Sequence, residues 1–241
     1  GKQEAKYAGR GVLFGWPKAD GLVCDIGGLS IEFCEVIDGK LLSAQSADLG
    51  PLAFPKETES EKRKKILEHK LSKIKRNLKR RNESVFLVGG SWRALAKIDM
   101  ELRSYPLKIL HQYRIRSKDM KETAAWCLSQ SNAEIIRRTG LSSVRASSIK
   151  HACQVILDLI LAIKPDKFFV SSYGLREGLI FEKMEDVVKS KDPLIEASKD
   201  YEIRSARFPG FGTELYYWVL PIFSNLTKME KKLVLSACLL H

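Results

Sequence analysis

Two glycines between two apolar runs constrain the fold of this chain more than any other feature of its sequence. Residues 22–26 are almost entirely apolar, Gly27 and Gly28 follow, and a second mostly apolar run begins at residue 29. Glycine takes positive φ at little cost and lets a backbone approach a ligand closely. The pattern predicts a buried strand, a tight turn and a second strand.

Polar side chains at this turn point to a ligand. Asp25 closes the first strand, and Ser30 and Glu32 point the same way along the second because side chains alternate with a period of two. Backbone N–H groups at Gly27 and Gly28 would form an anion nest. This set suits a phosphate with Mg²⁺, which prefers oxygen ligands. An ordinary hairpin turn with a capping Asp explains the same pattern, since a lone glycine-rich turn is weak evidence.

The following residues extend the two strands into an antiparallel meander. Asp38 and Gly39 are a strong hairpin signal, and a third strand is predicted from Lys40 to about Ala47. The glycine turn would then lie at one end of the meander.

A second glycine turn follows a short buried strand predicted over residues 85–88. Gly89, Gly90 and Ser91 lead directly into a helix predicted over residues 92–102. The first backbone amides of that helix would face an anion. Two such turns in one chain are better evidence for phosphate binding than either turn alone.

Most of the remaining chain has helical patterns. A helix predicted over residues 3–16 is expected to be weakened by Gly9, Gly11 and Gly15. Residues 167–171 predict another buried strand, and residues 190–193 a linker. The other helices are predicted at about residues 58–81, with a capping box at 58–61, and at 117–130, 133–138, 143–163, 175–188 and 228–240. The alternation of strands and helices predicts a mixed α/β layer fold.

The helix predicted over residues 58–81 is strongly basic. Lys73, Arg76 and Arg80 are among its cations, and the whole chain carries a formal charge of +12. A solvated helix face is one interpretation, and a surface that steers polyanions such as polyphosphate is the other. The helix lacks aromatic residues that could stack on bases, so specific nucleic-acid recognition is not expected.

Composition favours a cytoplasmic protein. The five cysteines show no metal-ligand spacing, and most lie in apolar runs, which is typical of buried thiols in a reducing compartment. No apolar run reaches about 18 residues, so no membrane span is expected. No signal peptide is visible.

Four segments match the motifs of one known family in the family's order. Residues 25–32 match its Asp-Ile-Gly-Gly-Gly-Ser-Thr-Glu motif, and residues 1–5 match Gly-x-Glu-Glu-Ala. Residues 88–96 match its Gly-Gly-Thr turn and following helix, and residues 170–178 are close to its Ser-Asp-Tyr-Gly-Leu-Arg-Glu-Gly. The chain therefore resembles the exopolyphosphatase/guanosine pentaphosphate phosphatase family of the actin-like superfamily, and most closely its alphaproteobacterial members. It departs from the motifs at Leu29, Gln3 and Ser172, which replace a glycine, a glutamate and an aspartate.

The resemblance implies an architecture. Residues 1–189 would be the second, ribonuclease-H-like lobe, a five-stranded mixed sheet flanked by helices with the 21–47 meander at one edge. Residues 190–241 would be a linker and part of a helical, HD-like region. The family's first lobe, with its own phosphate loop, is expected to be missing from this chain.

The resemblance also implies hydrolysis of a terminal phosphoanhydride bond in inorganic polyphosphate or guanosine pentaphosphate. Glu4, at the position of the motif's second glutamate, would activate water, and Asp25 would be the second catalytic residue. Asp25 and Glu32 would hold Mg²⁺, and a homodimer is one expected assembly. The residues implied to bind phosphate are Gly27, Gly28, Ser30, Gly89, Gly90 and Ser91.

Two other functions remain open at this point. One is a non-catalytic module that binds polyphosphate or guanosine tetraphosphate, with a nest altered by Leu29. The other is a basic nucleic-acid-binding module that uses residues 62–81. Retention of Glu4, Asp25 and Glu32 together favours the enzyme, although this chain alone is expected to be weakly active or inactive.

Overall fold

One mixed sheet organises the first part of the chain. Its strands, in chain order, are β1 (Gly21–Ile26), β2 (Ile31–Ile37), β3 (Lys40–Ala47), β4 (Ser84–Val88), β5 (Arg114–Arg116) and β6 (Lys167–Val170). Their order across the sheet is β3-β2-β1-β4-β6-β5. The computed structural model describes residues 1–54 and 60–241. The chain divides into two compact units, residues 1–183 and 184–241.

The strand pairing confirms the predicted meander at the sheet edge. β1 pairs with β2 in antiparallel fashion, with Asp25 opposite Glu32, and β2 pairs with β3 in the same way. β1 and β4 are parallel neighbours, as are β4 and β6. The predicted strands at residues 22–26 and 85–88 thus belong to one sheet. The carboxyl ends of three parallel strands consequently meet at a single edge, where ligands bind in open α/β sheets.

The prediction of five strands was wrong, because β5 forms a sixth. This strand pairs with β6 in antiparallel fashion and contains only three residues. Ile115 is buried between two exposed arginines, so the alternation extends over a single period. The formation of such a short edge strand depends on its partner strand. Its own three residues show almost no sequence pattern from which a strand could be predicted.

Helices cover both faces of the sheet. In the first unit they are α1 (Lys2–Gly15), α2 (Ser60–Arg76), α3 (Gly90–Leu102), α4 (Ser117–Ser129), α5 (Asn132–Thr139), α6 (Ser143–Ile163) and α7 (Leu175–Lys183). Side chains alternate along β1, so Leu22 and Cys24 pack into the larger core with α2, α3, α4 and α6. Val23 faces the opposite way and packs into a smaller core with α1. This arrangement confirms the predicted ribonuclease-H-like lobe.

Two predicted helices have different bounds. The helix predicted to run to residue 81 ends at Arg76, because the buried carboxylate of Glu35 draws the next segment onto the sheet. Glu35 accepts hydrogen bonds from the Lys79 backbone N–H (3.0 Å) and the Asn82 side chain (3.1 Å). The helix predicted over residues 175–188 is two helices, α7 and α8 (Asp186–Lys189). Residues 58 and 59 of the predicted capping box lie outside the described residues.

The helix predicted over residues 3–16 is present as α1, and its glycines serve close packing. A Cβ at Gly11 would lie 2.1 Å from the carbonyl oxygen of Gly174, just before α7. A Cβ at Gly178, inside α7, would lie 1.8 Å from the carbonyl oxygen of Tyr7. The 170–178 motif therefore contributes glycines to a contact in which the two helix backbones touch.

The second unit is helical. Its longer helices are α9 (Pro193–Ser205), α10 (Phe211–Val219) and α11 (Lys228–Leu239). Asp192 caps α9 by accepting hydrogen bonds from the backbone N–H groups of Leu194 (3.0 Å) and Ile195 (3.3 Å). In neither unit does a helix of the described residues combine the length and hydropathy needed to cross a bilayer. The assignment of residues 190–241 to an HD-like region stays a prediction.

Candidate functional site

The two glycine turns lie side by side at the carboxyl ends of β1 and β4. Asp25 is directly opposite Val88 in the parallel register, so Gly27 and Gly89 follow neighbouring strand ends. Gly89 has φ of +105°, and a Cβ there would lie 2.8 Å from Oδ1 of Asp25. Only glycine combines that backbone conformation with so close an approach. The second turn therefore packs directly against the Asp25 carboxylate.

The first turn is held by backbone hydrogen bonds. Gly27 N–H donates to the Ser30 carbonyl (2.9 Å), and Leu52 N–H donates to the Gly28 carbonyl (2.8 Å). Neither glycine takes positive φ, which differs from the expected geometry. A Cβ at Gly28 would lie 3.2 Å from Cδ1 of Leu52, an exposed side chain that can move aside. Leu29, which replaces the family's third glycine, is 63% exposed, so its side chain projects away from the protein interior.

Three carboxylates surround this turn. Glu32 is buried, and its Oε1 accepts hydrogen bonds from the hydroxyls of Ser30 (2.6 Å) and Ser46 (3.1 Å). Burial, together with the charges of Glu32 and Glu4, raises the pKa of Asp25 to about 6 against the lowering effect of Arg93. Glu4 is exposed on the first turn of α1, where it accepts a hydrogen bond from the Gly1 amino group. The structure thus brings Glu4, Asp25 and Glu32 close enough to interact.

The residues present fit a magnesium ion. Among the described residues, no group of three or more histidines, cysteines, aspartates and glutamates forms a metal-binding cluster. Mg²⁺ needs fewer protein ligands, because one or two carboxylates suffice when water and substrate phosphates complete its shell. Asp25 and Glu32 face each other across β1 and β2, and a cation bound there would offset the burial and the like charge that raise the pKa of Asp25.

The N-terminus of α3 is open toward the same strand ends. Gly89 is the N-cap residue, and within the part of the chain that the structure describes no side chain caps this helix and no heavy atom would lie within 4 Å of a Cβ at Gly90. Ser91 is the second residue of the helix and is half-buried. The first amides of α3 are therefore free of a capping side chain and can face an anion.

Arg93 is a functional candidate that the sequence patterns did not predict. It lies one turn into α3, and its Nη1 donates to the carbonyl oxygen of Ser172 (3.1 Å), just after β6. The guanidinium thereby connects the carboxyl ends of β4 and β6. Its positive charge lowers the pKa of Asp25, which lies at the end of β1. The sequence feature that could have indicated this role is an arginine placed one helical turn after Gly89 and Gly90.

The predicted polyanion-steering residues separate into two places. Lys73 and Arg76 are exposed on α2, and they line a groove of about 760 Å³ between α2 and β3. Ser46, which binds Glu32, lines the same groove. Arg80 lies beyond the end of α2 and forms an ion pair with Asp20. The groove contains three further cations, which are Lys2, Lys70 and Lys79.

Comparison with known proteins identifies the family. The model of the Ppx/GppA phosphatase family matches residues 1–187. The chain belongs to the Ppx/GppA phosphatase family. Comparison with curated protein sequences gave no significant match.

Solved Ppx/GppA structures share the fold. The type II variant of the Aquifex aeolicus Ppx/GppA phosphatase is 25% identical with a TM-score of 0.63, over 76% of this chain and 64% of that one. An exopolyphosphatase from Cytophaga hutchinsonii is 20% identical with a TM-score of 0.63, again over 76% and 64%. The chain thus spans less than two thirds of the length of these relatives.

The family match confirms the resemblance read from the four motifs, and the structure confirms the predicted fold class. The roles assigned to individual site residues stay predictions, as do the closeness to alphaproteobacterial members, the cytoplasmic location and the homodimer.

Proposed function

We propose that this chain provides the Mg²⁺-binding and phosphate-binding lobe of an exopolyphosphatase-type phosphohydrolase. The observation that carries the proposal is the pair of glycine turns on adjacent parallel strands, with the Asp25 carboxylate packed between them. The N-terminus of α3 would present its first backbone amides to one phosphate, and the first turn would present the Gly28 amide to another. Adjacent anion sites suit a substrate with consecutive phosphates.

Each residue of the site has its own proposed role in hydrolysis. Glu4 orients a water molecule and removes its proton as the water oxygen attacks the terminal phosphorus, and the bridging P–O bond breaks toward the shortened chain. Asp25 and Glu32 hold Mg²⁺, which when bound neutralises charge on the phosphoryl oxygens. In the first turn, the Gly28 amide binds the terminal phosphoryl group, because the predicted donors at Gly27 and Ser30 already donate to the Ser30 carbonyl and to Glu32. The amides at Gly89, Gly90 and Ser91 bind the next phosphate of the substrate.

The groove between α2 and β3 favours inorganic polyphosphate over guanosine pentaphosphate. Its five cations, with Lys73 and Arg76 among them, share the groove with Ser46, a hydrogen-bond partner of Glu32. A chain of phosphates that extends from the site would meet these cations, whereas the short phosphate arms of a nucleotide would reach few of them. Cations of this kind raise affinity in a salt-dependent manner without reading sequence or base.

Turnover is proposed for this lobe together with a first lobe that carries the other phosphate loop. The support is the chain's coverage of 64% of the Aquifex structure's length. Phosphoryl transfer relies on charge stabilisation from several sides, and each removed donor costs roughly 3–4 kcal/mol in the transition state. This chain alone is therefore proposed to turn over at least about a thousandfold more slowly than the two lobes together.

Phosphate release tests the proposal. The chain is combined with a first lobe from a Ppx/GppA relative, as a fusion or in trans, and supplied with Mg²⁺ and long-chain polyphosphate or guanosine pentaphosphate. Release should require both lobes, should be faster with polyphosphate and should vanish in Glu4→Gln. Tight binding of polyphosphate without release would instead favour the non-catalytic binding module.

A further inference from the structure

Arg93 occupies a position that its packing alone does not explain. Its side chain is half-buried, and one of the five guanidinium N–H groups donates to the Ser172 carbonyl. The described residues supply no other hydrogen bond or ion pair to this guanidinium. None of its nitrogens is a buried atom without a partner, so the remaining donors are open to solvent.

The guanidinium also lies close to Asp25 without pairing with it. The two groups interact electrostatically, yet no nitrogen of Arg93 comes within 4.0 Å of the carboxylate. Asp25 is packed against Gly89, and Arg93 follows on the first turn of the same helix. A cation and an acid thus flank the open N-terminus of α3 without neutralising each other directly.

We infer that Arg93 is a substrate-binding residue of this site, and that its guanidinium donates to oxygens of the substrate phosphate bound at the N-terminus of α3. This inference rests on the proposed function and adds a charged donor to a site otherwise built from backbone amides. The Ser172 carbonyl fixes one edge of the guanidinium, so the other donors are held in place before the ligand arrives. A planar fork held in this way matches the oxygens of a phosphate.

The experiment measures binding of tripolyphosphate with Mg²⁺ to the whole chain by isothermal titration calorimetry. Arg93→Gln removes the charge and keeps an amide that can still donate to Ser172. A charge-assisted hydrogen bond contributes about 1.5–3 kcal/mol, so we expect affinity to fall by about 10- to 150-fold. The matched control is Arg81→Gln, at the opposite edge of the sheet, where the exposed arginine pairs with Asp166 at 3.5 Å. The control should bind like the wild type.

A second variant separates binding from folding. Thermal unfolding is recorded for each protein, and Arg93→Gln is expected to keep a Tm close to that of the wild type. If Arg93→Gln unfolds, the binding affinity of Arg93→Lys tests the inference instead. Lysine keeps the charge but lacks the planar fork, so we expect about three- to tenfold weaker binding of tripolyphosphate. Addition of methylguanidinium to Arg93→Ala should restore part of the lost affinity.

The outcomes distinguish this inference from the proposed function. Affinity within threefold of the wild type in Arg93→Gln, or unchanged affinity in Arg93→Lys if that variant decides, overturns the role of Arg93 and leaves the proposed function standing. Failure of the wild-type chain to bind tripolyphosphate with Mg²⁺ overturns both.

Discussion

Replacement of Asp25 by asparagine should stabilise the fold while it removes a proposed magnesium ligand. Asp25 is largely buried, lies near Glu32 and Glu4, and accepts no hydrogen bond among the described residues. Its carboxylate is therefore costly to ionise in the folded protein. Asparagine has nearly the same shape and carries no charge, so the substitution removes the cost with little change in packing.

The size of the effect follows from the pKa of Asp25, which is about 6 in the fold against 3.8 for the ordinary side chain. Roughly two pKa units at about 1.4 kcal/mol each give an upper limit of about 3 kcal/mol. Partial access of solvent to the carboxyl group reduces this energy. We therefore expect the free energy of unfolding of Asp25→Asn at pH 7.5 to exceed that of the wild type by about 1–3 kcal/mol.

The pH dependence has a definite sign. The folded state holds the proton more tightly than the unfolded state, so this contribution to stability is full below about pH 3.8 and is lost as pH rises to about 6. The gain from Asp25→Asn should therefore be present at pH 7.5 and shrink toward zero as the pH falls below 4.

Urea unfolding followed by circular dichroism, with EDTA present so that no Mg²⁺ is bound, measures the midpoints. Asp48→Asn is the control, because its side chain is 84% exposed and the substitution should leave the midpoint unchanged. A midpoint for Asp25→Asn at or below that of the wild type at pH 7.5 would refute the reasoning.

Three further predictions concern the glycine turns, the helix contact and the groove. Gly89→Ala should destabilise the protein by about 1–3 kcal/mol because of its φ and the nearby carboxylate, whereas Gly90→Ala should be tolerated; thermal unfolding compares them. Gly178→Ala should lower the Tm more than either, since its Cβ would overlap a carbonyl oxygen of α1, and an unchanged Tm would contradict the packing described here. Replacing Lys73 and Arg76 with alanine should weaken binding of long polyphosphate and reduce its salt dependence, with little effect on tripolyphosphate; equal losses for both ligands in a filter-binding assay would argue against the groove.

Local signals in the sequence predicted the parts of the fold that short-range chemistry decides. The meander follows from alternating side chains and the signal at Asp38 and Gly39, and the predicted third strand agrees with β3. The two glycine turns follow from glycines placed directly after buried strands. The same local logic placed Asp25 and Glu32 side by side, because a two-strand turn fixes their register.

Contacts between distant segments decided what the sequence did not predict. The end of α2 depends on Glu35, a buried carboxylate on β2 that binds residues 79 and 82. The role of Arg93 depends on a carbonyl that follows β6. Neither partner can be recognised from the residues next to it, so their consequences become visible only when the sheet is assembled.

The contact between α1 and α7 bears on the order in which the first unit is completed during synthesis. α1 leaves the ribosome before α7, but the backbones of the two helices meet at Gly11, Gly174 and Gly178. Until α7 emerges, the α1 surface that α7 covers lacks this partner, and we expect the nascent chain to expose that surface to chaperones. Contacts between such distant segments also slow folding, because a long loop must close before they form. Release of the finished unit should therefore coincide with the arrival of Gly174 and Gly178, and a chain truncated before them should remain bound to chaperones.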